Sequence, residues 1–168
     1  MSLLTDPVRR PEVIAPGAGR HLHFLDHLAT LKVRPAEVGA LSVVEFTAPR
    51  GFGPPLHRHE HEDELFVVLE GELAFTSGGH RLAAGVGGIA HLPCGLAHTF
   101  EVISDQARFV CVTGSTTGTP RFDRMVEELG EPVDAPVLPT PGYVDATRVA
   151  DVCRRYGIEV VGPPPGAA

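Results

Sequence analysis

Positive charge, cysteine and long hydrophobic runs are all scarce in this 168-residue chain. Lys plus Arg number 14 against 21 Asp plus Glu, a net charge of −7. Nucleic-acid binding draws its affinity from Lys and Arg neutralising phosphates, so this balance argues against a nucleic-acid partner. It also leaves no basic amphipathic face for an anionic membrane. The three cysteines, Cys94, Cys111 and Cys153, are an odd count without metal-type spacing, which points to a reducing, cytoplasmic setting. The longest apolar runs reach about five residues, far below the roughly 20 that a membrane-spanning helix needs. The opening MSLLTDPVRRPEV shows no charged stretch followed by an apolar run, so no signal peptide is expected. The sequence also lacks a G-x-S-x-G elbow, a P-loop, a C-x-x-C pair and any internal repeat.

Glycine (19) and proline (16) are plentiful and spread along the chain, with short apolar runs between them. That punctuation predicts an antiparallel sandwich or barrel. Strands are expected at 21–24, 28–33, 41–47, 64–69, 72–76, 81–84, 88–92, 98–102 and 108–113, with a hairpin turn at Ser77-Gly78-Gly79. Beyond Thr117 helical spacing takes over. Thr119 offers an N-cap, Pro120 suits the first helical position, and Phe122, Met125, Val126 and Leu129 recur up to Gly130. A second helix is expected over 145–156, with Arg154 and Arg155 in its last turn. The organisation expected is an N-terminal arm and edge strands over 1–39, a barrel core over 40–117, and a helical extension over 118–168. The first 19 residues are expected to be irregular, and the tail from Pro163 disordered.

The chemistry is concentrated in His57, His59, Glu64 and His98. Three imidazoles and a carboxylate make a site for a first-row divalent metal, with zinc, iron, nickel and manganese all within range. His57 and His59 share one face of a strand, whereas Glu64 lies an odd interval further on. Chelation of one ion therefore requires the chain to leave strand geometry within 60–63. Four such ligands in octahedral geometry leave two positions open for water, O₂ or a chelating substrate, unlike a closed structural zinc site. His61 is expected to face solvent, His21, His23 and His27 to lie outside any metal site, and His80 and His91 to sit at turns and rims.

These positions resemble the two motifs of the cupin superfamily. The first, G-x5-H-x-H-x3-4-E-x6-G, is met by Gly51, His57, His59, Glu64 and Gly71. The second, G-x5-P-x-G-x2-H-x3-N, is met by Gly87, Pro93, Gly95 and His98, with Val102 in place of the final Asn. The resemblance covers roughly residues 40–114, with nine motif positions in agreement. It implies an all-β fold, the cupin double-stranded β-helix or jelly-roll barrel, here with two short C-terminal helices. Among cupins the chain is similar to the small, single-domain bacterial quercetin 2,3-dioxygenase-like group. The similarity is carried by Gly53-Pro54-Pro55-Leu56-His57, by Glu62-Asp63-Glu64 leading to Leu69-Glu70-Gly71, and by the extension with Arg155-Tyr156-Gly157-Ile158-Glu159 and Gly162-Pro163-Pro164. That group implies a dioxygenase that opens a flavonol's heterocyclic ring with O₂, releases carbon monoxide, and uses nickel, cobalt, manganese or iron.

Glu64, the carboxylate placed at the metal, is the candidate base for a flavonol 3-hydroxyl. Phe66, Val68, Phe100 and Val102 are expected to line the site for a small aromatic substrate, with Phe122 and Met125 closing over it. Exposed sheet edges suggest a homodimer. Two other functions fit the same ligands. One is an O₂-independent cyclase or isomerase of polyketide-type metabolites, and the other is a non-catalytic metal- or ligand-binding cupin.

Overall fold

The structure is a computed structural model and describes residues 11–35, 39–115 and 117–166. Most of the expected irregular arm, residues 1–10, and the last two residues of the tail lie outside the described residues.

Two antiparallel sheets form the body. The larger is ordered β11(Glu131–Pro132), β1(Arg20–Phe24), β2(His27–Val33), β3(Leu41–Pro49), β10(Gln106–Gly114), β5(Asp63–Glu70) and β8(Ile89–Leu92). The smaller is ordered β12(Ile158–Val160), β4(His57–His59), β9(His98–Val102), β6(Leu73–Ser77) and β7(His80–Ala84). Strands β3, β5 and β10 alternate buried and more exposed residues, the period of a wall with one face on a core. Between the sheets Phe109, fully buried, has ring centroids of Phe100, Phe46 and Phe66 at 5.2, 5.5 and 5.8 Å. These separations are those of favourable aromatic packing.

The turns follow from glycine chemistry where it matters. Gly78 and Gly79 both take positive φ, 56° and 78°, and close the β6–β7 hairpin with Ser77 opposite His80. Gly71 has φ 76°, and a Cβ there would stand 2.3 Å from the Gln106 carbonyl oxygen, so only glycine ends β5 at this point.

The C-terminal extension differs from the sequence expectation in three ways. Helix α1(Phe122–Leu129) starts after the Thr119-Pro120 pair, with Arg121 at its N-cap and no capping bond from that residue's own side chain. Residues 158–160 form β12, which pairs with β4 where the sequence pattern predicts no strand. The stretch expected to be disordered packs down: the Leu56 N–H donates to the Pro163 carbonyl at 3.1 Å. Helix α2(Ala146–Arg155) follows its expected span, its first turn capped by the Asp145 carboxylate, which accepts from the Thr147 and Arg148 N–H groups. No helix among the described residues is long and apolar enough to cross a membrane.

Candidate metal centre

Three strands bring the four residues together. In β4, His57 stands in register with His98 of β9, while Glu64 near the start of β5 stands opposite Thr113 of β10 and Leu92 of β8. Residues 60–62 lie between β4 and β5, outside either strand, and there the parity of the chain changes. One donor atom from each of His57, His59, Glu64 and His98 lies within 4.8 Å of every other. His59, Glu64 and His98 are buried and His57 is partly so.

Each imidazole is held by its Nδ1. His57 Nδ1 lies 2.7 Å from the Pro55 carbonyl oxygen, His98 Nδ1 2.8 Å from that of Leu96, and His59 Nδ1 3.1 Å from Glu62 Oε2. All three partners are acceptors, so each Nδ1 donates and each Nε2 is left for the centre. Such bonds fix the tautomer and orientation of metal-binding histidines. His59 Nε2 is buried with no hydrogen bond of its own. Glu64 Oε2 lies 2.7 Å from His98 Nε2 and 3.4 Å from His59 Nε2.

The electrostatics fit the same picture. Burial pushes the Glu64 pKa up, but His59, His98 and His57 outweigh it and hold the carboxyl well below its usual range. Burial lowers His57 to about 4 despite the opposing charge of Glu64. At His59 burial is outweighed by the charges of Glu64 and Glu62, and its pKa is raised. Three nitrogen donors and one ionised oxygen donor fit a first-row divalent ion, though several such ions suit the set equally. Cys111 donates its Sγ–H to Glu64 Oε1 at 3.4 Å, and burial followed by the Glu64 charge raises its pKa, so it stands behind the centre as a thiol.

The other histidines lie elsewhere. His61 is exposed beside Glu60, His21 bonds Thr30 Oγ1, and His23 bonds the Val137 carbonyl oxygen. His80 and His91 are exposed on β7 and β8.

An apolar cavity adjoins the cluster, with His57 and Glu64 in its wall. Phe66, Phe100, Phe122 and Met125 line it, but Val68 and Val102 do not. The reason is strand direction: running inward from the ligands, β5 presents Glu64, Phe66 and Val68, and β9 presents His98, Phe100 and Val102. The phenyl rings at 66 and 100, 5.5 Å apart, close the cavity floor, and both valines pack beyond it in the core. The extension contributes Val149, Cys153, Ile158 and Val160 to the wall. The cavity volume is about 70 Å³, and the cavity opens to solvent.

His27 is a further lining residue, which its spacing with His21 and His23 did not suggest. It is almost fully buried, its ring centroid lies 3.9 Å from that of Phe52 with the planes tilted by 43°, and its Nδ1 has no hydrogen-bond partner. Burial lowers its pKa from 6.5 to about 3. Below pH 6.5 the unfolded chain therefore takes up a proton that the native chain refuses down to about pH 3, so stability present above 6.5 is lost as pH falls through this window. The thermal midpoint of metal-free protein should drop between pH 7 and pH 4, and His27→Leu should show a flatter profile. Parallel profiles for the two proteins would contradict this assignment.

Residues 44–113 match the Cupin_2 family, a cupin domain, and the barrel is accordingly a cupin jelly roll. The matched segment is thus a cupin domain, and the chain as a whole is similar to a quercetinase. It is 26% identical over 153 residues to quercetin 2,3-dioxygenase of Bacillus subtilis (strain 168), covering 86% of this chain and 44% of that relative. The chain thus spans less than half the length of that relative. Among solved structures, KdgF from Halomonas sp. is 17% identical with a TM-score of 0.49, covering 54% of this chain and 81% of that one. A cupin-superfamily sugar phosphate isomerase from Silicibacter pomeroyi is 21% identical with a TM-score of 0.47, covering 54% and 60%.

Proposed function

We propose that the protein is a metal-dependent dioxygenase acting on a flavonol-like aromatic substrate. The observation that carries this is the apolar cavity with His57 and Glu64 in its wall, beside two further histidines whose Nε2 atoms converge on Glu64. The similarity to a quercetin 2,3-dioxygenase supplies the reaction class.

His57, His59, His98 and Glu64 would hold the ion. When bound, it would supply a Lewis acid that makes a substrate hydroxyl more acidic. The residues do the rest. Phe66 and Phe100 form an apolar floor against which a flat ring can lie, and Phe122 and Met125 exclude water from above. Glu64 is the candidate base, because it is the carboxylate that the ligand cluster places beside the bound hydroxyl. The free space of about 70 Å³ holds on the order of five waters. A three-ring guest therefore requires the wall to give, and α1 is a short element on that wall. The net reaction consumes one O₂ and releases one carbon monoxide for each flavonol opened.

The test is oxygen uptake with quercetin by protein loaded with nickel, cobalt, manganese, iron or zinc. Uptake matched to flavonol loss and to carbon monoxide release is expected with at least one metal. Confirmed loading with no uptake would shift the assignment to O₂-independent chemistry or ligand binding. We further propose a homodimer through the edge strands, where Leu82 and Ile89 are exposed, to be checked by sedimentation. The three unpaired cysteines are compatible with a cytoplasmic site of action.

A further inference from the structure

Glu62 carries no metal-motif role, yet it is buried, with 5% of its surface exposed. Its Oε2 accepts from His59 Nδ1 at 3.1 Å. Its Oε1 accepts from the backbone N–H of Arg121, in a short bond, and from that of Phe122 at 3.3 Å. The first N–H groups of a helix have no partner within it, and α1 receives none from its own N-cap side chain. Glu62 supplies that cap from 59 residues away. The helix it caps carries Phe122 and Met125, both on the cavity wall, and the Phe122 ring packs 5.9 Å from the His59 ring.

We infer that Glu62 is a positioning residue that ties the metal ligand His59 to the first turn of α1, so that metal loading and the docking of α1 reinforce one another. With Oε2 on Nδ1, the ring presents Nε2 to the centre. With Oε1 on two amides, the same carboxylate sets where α1 begins. Movement of either partner moves the other, and by linkage whatever steadies one end must steady the other. The inference rests on the metal-centre reading but not on the dioxygenase assignment.

Glu62→Gln separates the two bonds. The amide has one acceptor and one donor end, whereas His59 Nδ1 and the α1 amides all require an acceptor. Either His59 meets an NH₂ group that favours the wrong tautomer, or the α1 amides lose their cap. The experiment uses nickel ion on full-length wild type and Glu62→Gln, with chelator competition for affinity and amide exchange resolved at Arg121 and Phe122. Wild type is expected to bind nickel with slowed exchange at both amides. Glu62→Gln is expected to bind 10–100-fold more weakly, the usual cost of losing an outer partner of a metal ligand, and to lose the exchange response. A purely structural Glu62 would lower the thermal midpoint and leave the nickel affinity of the folded protein unchanged.

Tight nickel binding by wild type with no response at Arg121 and Phe122 would overturn the inference while sparing the metal centre. Wild-type affinity in the folded variant would do the same. Failure of wild type to bind nickel or another first-row ion would overturn both. The wild-type exchange response needs no substitution, so it decides the matter even where the variant does not fold.

Discussion

Replacing Glu64 with glutamine is expected to reduce metal content after desalting from one ion per chain to background. The effect should exceed the roughly 10–100-fold loss in affinity that follows removal of an outer partner. The substitution is nearly isosteric but removes the one carboxylate of the ligand cluster. Its oxygens lie 2.7 Å from His98 Nε2 and 3.4 Å from Cys111 Sγ, so the amide must also turn a donor toward one of these groups. Oxygen uptake should vanish with the metal. Metal analysis alongside chelator competition checks the expectation. An affinity equal to wild type would show that the carboxylate is not a ligand.

Phe109→Ala should give the largest loss of stability among single core changes. Phe109 is fully buried and packs against Phe46, Phe66 and Phe100, which come from both sheets. Truncation removes a phenyl ring from the layer that joins the sheets and leaves a void that strands cannot collapse to fill. The usual cost is about 3–5 kcal/mol. For a chain of this size that lowers the thermal midpoint by about 10 °C. Because the ring contacts of Phe109 are with other phenylalanines and not with the candidate ligands, metal affinity in the surviving folded fraction should change far less than stability. Chemical denaturation of metal-free protein measures the first quantity. A loss below about 1 kcal/mol would mean that this layer is not the core.

The clustering of the four candidate ligands was readable because its logic is local. Alternation puts His57 and His59 on one face, and the polar break before Glu64 marks where parity must change; the structure places that break at 60–62. The barrel strands were readable for a similar reason, since β3, β5 and β10 carry a clear period of two. What escaped depends on partners distant in sequence. Ile158–Val160 is three residues long, too short for a pattern, and is a strand because β4 offers it an edge. The first amides of α1 meet a carboxylate 59 residues upstream, a partner that the local Thr119-Pro120 signal could not reveal. Val68 and Val102 share a face with the ligands, yet depth along a strand is fixed only when Phe66 and Phe100 meet across the barrel.

The central claim is a centre of three imidazoles and one carboxylate. X-ray absorption at the edge of nickel or cobalt bound to the wild-type protein tests it most directly. One ion per chain, in a shell of nitrogen and oxygen alone with the outer scattering of three imidazole rings, is the expected result. A sulfur atom in that shell, fewer than three imidazoles, or no stoichiometric ion would contradict it.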